Sequence, residues 1–399
     1  MASASHLGPV RQGSDLVMQA NLRYRESLMG HLYDIAILGA TPAGCAAACR
    51  LAKRRCDVIV IDAPGPAAEC PLADWAPAEF FRSSALPKGL IKACQAVRFR
   101  HVCYHNARLD RRVEHASRKT AGVFFEYDRL RNVLKDAACE AGAKFRSTRT
   151  PPAIQLEEDQ VRIVGTFQAA ARLLLVTSSR PGEVLSELSL PGRSLTNGTV
   201  VIAGLDVPIS ARVRDRLDNA LHVVELPERS ELGMFFRVGD TLHLRVISSS
   251  PASGTRADEL SSMVTELQVA DVLPGELHLG RARGAVWRPP AGTALELDTH
   301  VAKRCLLAGT GGGFAEAVTG QTLRPAVLSA LLAADVAAAA LKAHDVQEKL
   351  TEFKNAWRDE LSDILRPPGT SLRMLLPLLF VNQNILGKFT QALLYGEGI

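Results

Sequence analysis

The chain has 399 residues, 47% hydrophobic and 22% charged, with a formal net charge of +5. That length is too great for one small core and suits two intertwined domains. Aromatic residues make up 5% and do not interleave with basic runs such as 108–112, which argues against a nucleic-acid stripe; a mildly basic balance still suits anionic cofactors.

Residues 1–30 carry no apolar signal core, because Ser3, His6, Arg11, Asp15 and Arg23 interrupt them, and they read as an N-terminal extension. Tyr33 to Leu38 is a short apolar run, followed by a glycine turn, an alanine-rich helix over 43–54 and a β-branched strand over 57–61. Strand, turn, helix and strand in about 30 residues is the size of a βαβ unit. Both strands lack polar alternation, as expected of a parallel sheet covered on both faces.

Prolines punctuate 63–90, which predicts loop with short helices. A strand is expected over 97–104. Tyr127 to Gly142 has helical spacing, with Leu130, Leu134 and Ala138 on one side and Gly142 as its stop. Val161 to Val176 reads as a hairpin or two sheet strands. Short strands then alternate with turns from Val200 to Ile247, with Gly239-Asp240 as a hairpin turn. A helix follows over 260–273. Cys305 to Ala308 is a short strand, Gly309 to Gly313 a second glycine-rich turn, and 321–342 a long helix. Two more helices are expected, a charged one over 346–365 and an apolar one over 372–395. The fold class is α/β: a two-part nucleotide-binding domain with a parallel sheet, a smaller and mostly antiparallel sheet domain, and C-terminal helices. The domain boundaries are 1–30, 31–195, 196–295, 296–345 and 346–399.

The first turn reads Gly39-Ala40-Thr41-Pro42-Ala43-Gly44. In such a turn the first glycine lets the chain bend from strand to helix. The last lets the helix approach the sheet, and backbone N–H groups at the helix N-terminus face a pyrophosphate. Asp62 ends the second strand about 18 residues past Gly44, near the separation at which an acid meets a ribose hydroxyl. Thr41 stands at the middle glycine position.

These segments, taken in order, resemble the FAD-dependent monooxygenases and geranylgeranyl reductases that share the aromatic-hydroxylase fold. The likeness rests on YDIAILGATPAGCAAACRLAKRRCDVIVID, YDRLRNVLKDAACEAGAKF, RCLLAGTGGGFAEAVTGQTLRPAVLSALLAADVAAAAL and LTEFKNAWRDEL. It implies FAD on Gly39, Ala43, Gly44 and Asp62, backbone donors from Gly311, Gly312 and Gly313, and the flavin's pyrimidine edge at Thr319 and Gly320. Gly309 and Thr310 fall where the family has Gly-Asp. Thr310 therefore brings no carboxylate to the ribityl chain, and Phe124 stands where the family often has arginine. The resemblance further implies NAD(P)H as a transient electron donor and a small-molecule substrate. Two rivals stand beside this reading: a non-catalytic relative that keeps the fold as a binding module, motivated by Thr41 and Thr310, and a nicotinamide dehydrogenase using the first turn alone.

Eight cysteines include no Cys-x-x-Cys pair, which points to a reducing, cytoplasmic setting. Cys70 is the one to test near a substrate. His101, Cys103 and His105 share a strand face, but no fourth metal ligand lies nearby in sequence, so no metal is expected. Trp287 and Arg288 are candidates to face the active cavity. Arg237 and Arg245 are candidates to meet an anionic group, although strand-face arginines are usually solvated. The apolar set over 372–395, broken by Pro377, suits a membrane surface or an isoprenoid tunnel as well as docking on the core.

Overall fold

A computed structural model describes residues 31–62, 71–178, 186, 188, 200–226, 231–248, 256–367, 369–370 and 372–396. The expected N-terminal extension, the loop at 63–70 with Cys70, and the 195/196 boundary lie outside them.

The apolar runs assemble a sheet with strand order Val301–Ala302, Cys305–Leu307, Gln168–Val176, Leu32–Leu38, Val58–Asp62, Lys144–Ser147. From Cys305–Leu307 onward its neighbours run parallel. A hairpin, Ala153–Leu156 with Val161–Val164, extends it antiparallel to Gln168–Val176. The central strand's Ile35, Ala36 and Ile37 are fully buried, as two covered faces require.

Helix Pro42–Lys53 lies over this sheet, flanked by Tyr127–Glu140 and Leu323–Ala340. Its alanines make the close approach possible, and Ala46, Ala47 and Ala48 are buried. Among the described residues Leu323–Ala340 is the one helix long and apolar enough to cross a membrane, yet 67% of it is buried within the protein. Its Asp335 takes a two-bond pair from Arg50, at 2.7 Å each. That pairing explains a charged residue on so apolar a helix.

The second sheet runs Arg283–Trp287, Val201–Pro208, Thr241–Ser248, Glu231–Val238, Ala220–Leu226, His101–His105, Arg112–Ala116. It is antiparallel except where His101–His105 pairs parallel to Ala220–Leu226. Two of its strands thus come from the segment assigned by sequence to the first domain. The strand expected over 97–104 is broken at Arg100. Val97–Phe99 pairs with Gly122–Glu126 in a separate three-stranded sheet with Ala73–Pro77, and His101–His105 crosses to the second sheet.

Ala73–Pro77 corrects the loop expected there. Its pairing partner lies some 50 residues away, and Pro77 sits at the strand's last position, where a missing N–H is tolerated. The helix expected over 346–365 is two, Val346–Thr351 and Phe353–Leu365, and that over 372–395 is Leu372–Leu379 and Gln383–Tyr395. Asn382 caps the last one, its side chain accepting from the amides of Asn384 and Ile385.

Candidate functional site

The site is built where parallel strands end. Leu32–Leu38 and Cys305–Leu307 both flank Gln168–Val176, so the turns that follow them emerge on either side of Thr177-Ser178. Thr177 donates through its amide to the Leu38 carbonyl at 3.0 Å and through Oγ1 to the Leu38 and Gly39 carbonyls at 3.1 Å. Gly39 has a φ of +108°, and a Cβ there would meet Ser178 Oγ at 2.3 Å. Gly309 has a φ of +59°, and a Cβ would meet the Thr177 carbonyl oxygen at 2.4 Å. Gly309 is needed for main-chain approach, and Gly39 for its positive φ and the Ser178 side chain against it. The two loops therefore meet on one dipeptide.

The first turn is open to a ligand. Among the described residues the amides of Ala40, Thr41 and Ala43 have no acceptor within the chain, and the half-buried Asp62 carboxylate makes no hydrogen bond. Thr41 is the helix N-cap, with Oγ1 accepting from the Gly44 amide at 3.1 Å. The residue in the middle glycine position thus takes one of the donors that face a pyrophosphate. Pro42 opens the helix with no N–H to lose.

The second turn is satisfied from within only in part: among the described residues the amides of Thr310 and Gly311 have no acceptor. The Gly309 amide donates to Ser329 Oγ at 3.0 Å, and Thr310 Oγ1 to the Thr177 carbonyl at 3.4 Å. Gly312 and Gly313 donate to the carbonyls of Ala308 and Thr310, closing one 3₁₀ turn that also holds Gly311. His300 seats this turn. It is 2% exposed, packs against Phe314 and Trp357, and lies 2.8 Å from the Gly312 carbonyl through Nε2. Burial pushes its pKa down to about 4, so it donates as a neutral ring.

Glu316 does the same for the loop beyond. Its carboxylate accepts from the Val318 amide at 2.9 Å, the Thr319 amide at 2.6 Å and the Thr319 hydroxyl at 2.5 Å. Burial raises its pKa against those bonds. The helix proper begins at Leu323, after Thr319 and the left-handed Gly320.

Between this loop and the second sheet lies a cavity lined mainly by Trp75, Ile202, Met234, Phe236, Ile247 and Trp287. Asp74, Arg245, and Thr319 to Thr322 supply its polar groups. Asp74 accepts from the Trp75 amide at 2.9 Å. Burial pushes its pKa up to about 6, against that bond and the charge of Arg245. Arg245 is 5% exposed, not solvated as its strand position suggested. It donates to Asp206 at 2.9 Å and lies 5.1 Å from the Trp287 ring centroid. Burial works against the Asp206 carboxylate, but the His243 hydrogen bond and Arg245 hold its pKa below the ordinary value.

Trp287 lines this cavity, whereas Arg288 is exposed. Phe124 stacks between Phe99 and Phe236, at 4.3 and 4.9 Å, beneath the same cavity. Sequence reasoning missed Asp74, Glu316 and His300. Each is a single residue in a loop or short strand, and their roles come from partners brought in by the fold.

FAD fits the first turn: free amides at a helix start and an unpaired acid at the end of the next strand are what a dinucleotide's diphosphate and ribose require. At Thr319 and Gly320, where the resemblance would put the flavin's edge, the amides of Val318 and Thr319 are held by Glu316, so an anionic group would gain less there.

No family model matches the chain, and no curated protein matches it. Solved structures do. A geranylgeranyl bacteriochlorophyll reductase-like protein of Thermoplasma acidophilum superposes with a TM-score of 0.69 at 14% identity, covering 92% of this chain and 97% of that one. PqsL of P. aeruginosa, solved with 2-aminobenzoylacetate, gives 0.65 at 17% identity over 90% and 100%. The flavin-dependent brominase Bmp2 gives 0.63 at 12% identity over 91% and 90%. At such identities the likeness carries the architecture: this chain has the fold shared by FAD-dependent monooxygenases, geranylgeranyl reductase-like proteins and flavin halogenases, in divergent sequence.

Proposed function

We propose that the chain is an FAD-dependent oxidoreductase that reduces or hydroxylates an apolar or aromatic small molecule with electrons from NAD(P)H. The observation that carries this reading is the meeting of both glycine turns on Thr177-Ser178, with the amides of Ala40, Thr41 and Ala43 left without acceptors among the described residues. Gly39 to Gly44 would hold the diphosphate and Asp62 the adenosine ribose. Gly309 to Gly313 would line the ribityl chain, and Thr319 and Gly320 would border the ring. Bound flavin supplies the redox chemistry; the protein supplies position, charge and exclusion of water.

The chain's own residues divide that work. Trp75, Ile202, Phe236 and Trp287 line an apolar cavity of about 30 Å³, which would have to widen to take a substrate and whose walls would then keep water from the reacting atoms. Asp74, with a pKa of about 6, is placed to hold or release a proton inside it. Arg245 stands on the chamber wall with its charge paired to Asp206, and stacks on Trp287. The C-terminal segment over 372–395 exposes Met374, Leu378 and Val381, which favours peripheral membrane contact and an apolar substrate; sedimentation with vesicles tests it.

A second reading, a non-catalytic binding module, is favoured by Glu316, whose carboxylate takes the Val318 and Thr319 amides, and by Thr310, which brings no carboxylate to the second turn. Titrating the purified chain with FAD and following flavin fluorescence separates the two. Saturable binding, followed by substrate-dependent NAD(P)H oxidation, supports the oxidoreductase. A colourless protein indifferent to added FAD overturns it.

A further inference from the structure

A cluster of metal-ligand side chains lies on the second sheet, away from the cleft. The strand pairing builds it. Cys103 sits opposite His222 on one neighbouring strand and opposite Glu114 on the other. Asp218 precedes the His222 strand. The Cys103 sulfur, an Asp218 carboxylate oxygen and a His222 ring nitrogen all lie within 4.8 Å of one another. Glu114 Oε2 lies 3.8 Å from the Cys103 sulfur. One sulfur, one imidazole and two carboxylates form a donor set suited to a borderline-soft divalent cation.

Two further features point the same way. His222 is held at Nδ1 by His105 Nε2, at 3.0 Å, inside a stack with Phe235. A ring fixed by its far nitrogen presents the other, and outer partners of this kind orient metal-ligating histidines. His222 Nε2 faces Asp218 Oδ1 at 2.6 Å. The second feature is a positive group already at the centre. The Arg112 Nη2 donates to Asp218 Oδ2 at 2.9 Å, the Cys103 sulfur at 3.0 Å and Glu114 Oε2 at 3.4 Å. A single nitrogen thus satisfies three of the four donors. Arg112 is 47% exposed on its side chain, so it is free to swing out, whereas His222, at 7%, is fixed. A cavity lined in part by His101, Glu114, Thr120 and Asp218 opens beside the cluster and gives an entry path.

We propose that Cys103, His222, Asp218 and Glu114 bind a thiophilic divalent cation such as Zn²⁺, which displaces the Arg112 guanidinium from the same donors. On binding, the Cys103 thiol loses its proton to solvent and the sulfur bonds the metal; no electron moves. Ligands around Zn²⁺ sit at about 2.0–2.3 Å from the ion, so the donors close inward by small side-chain rotations. The sequence alone shows only the alternation of His101, Cys103 and His105. The completing ligands are Glu114 on a neighbouring strand, His222 on another more than a hundred residues away, and Asp218 in the turn before that strand.

The test uses the full chain stripped with a chelator, then titrated with Zn²⁺, and with Co²⁺ as an absorbing substitute. The expected result is one cation per chain and a near-ultraviolet thiolate-to-cobalt band. Cys103→Ser abolishes that band and weakens Zn²⁺ binding by more than about tenfold. Arg112→Ala tightens binding, because the competing cation is gone. Asp218→Asn, at the exposed rim, weakens binding without disturbing the core. Absence of the band in both the unmodified chain and Arg112→Ala overturns the proposal, as does a band that survives Cys103→Ser.

Discussion

The two glycine turns, GATPAG at 39–44 and GTGGG at 309–313, differ in how far the chain itself takes up the donors around them. Among the described residues the amides of Ala40, Thr41 and Ala43 have no acceptor at the first turn; at the second, those of Thr310 and Gly311 have none, but Ser329 takes the Gly309 amide and Glu316 those of Val318 and Thr319. Glycine count therefore reports how closely backbones approach and says little about what a turn is free to bind. The first turn keeps its amides for a ligand, whereas the loop after the second gives two of its amides to Glu316.

The comparison breaks most sharply at Gly309. Gly309→Ala places a Cβ at 2.4 Å from the Thr177 carbonyl in a left-handed conformation. A loss of about 3 kcal/mol is expected from overlap and backbone strain together, read as a lowered urea midpoint. A near-neutral result would mean that the two turns do not meet on Thr177.

Asp74 comes next, at the chamber beside the second turn. Its folded pKa of about 6 lies above the ordinary 3.8, so the fold binds its proton more tightly than the unfolded chain does. That contribution is present below pH 3.8 and is lost as pH rises to about 6. It amounts to at most about 3 kcal/mol. Asp74→Asn flattens this part of the stability profile and is more stable than the unmodified chain above that window. Parallel profiles for the two would remove Asp74 from the site.

Glu316→Gln leaves one acceptor where there were two and releases an amide of Val318 or Thr319. About tenfold tighter FAD binding is expected, or about 1.4 kcal/mol, by fluorescence titration. The smallest effect belongs to Thr41→Gly, which frees the Gly44 amide. It costs a few tenths of a kcal/mol in helix capping and tightens FAD binding by less than Glu316→Gln. If Thr41→Gly has the larger effect on binding, the contrast between the turns is reversed.

The parallel core was legible because its strands are continuous apolar runs ending in glycine turns. The convergence of the loops after Leu38 and Ala308 was implied by the resemblance to the FAD fold and not by the runs themselves, whose spatial order differs from their order in the chain. The strands Ala73–Pro77, Arg112–Ala116 and Gly122–Glu126 were not legible. Each draws its identity from a partner elsewhere: Arg112–Ala116 alternates polar residues at an edge, and Ala73–Pro77 carries a proline. The chemistry of Glu316, Asp74 and His300 was hidden for a related reason, since a lone titratable residue has no period or spacing to betray it. Cys103 shows the same limit: its alternating histidines were visible and its cross-strand acids were not.

The strand His101–His105 lies parallel against Ala220–Leu226, more than a hundred residues further along the chain. That seam has a consequence for how the protein is handled. A fragment starting near residue 200 would leave one flank of Ala220–Leu226 bare, with its N–H and C=O groups ready to recruit another copy. Such a fragment should precipitate on expression, and in the intact chain this sheet should be among the last regions to gain protection during refolding, because its closure waits on the slow meeting of distant segments.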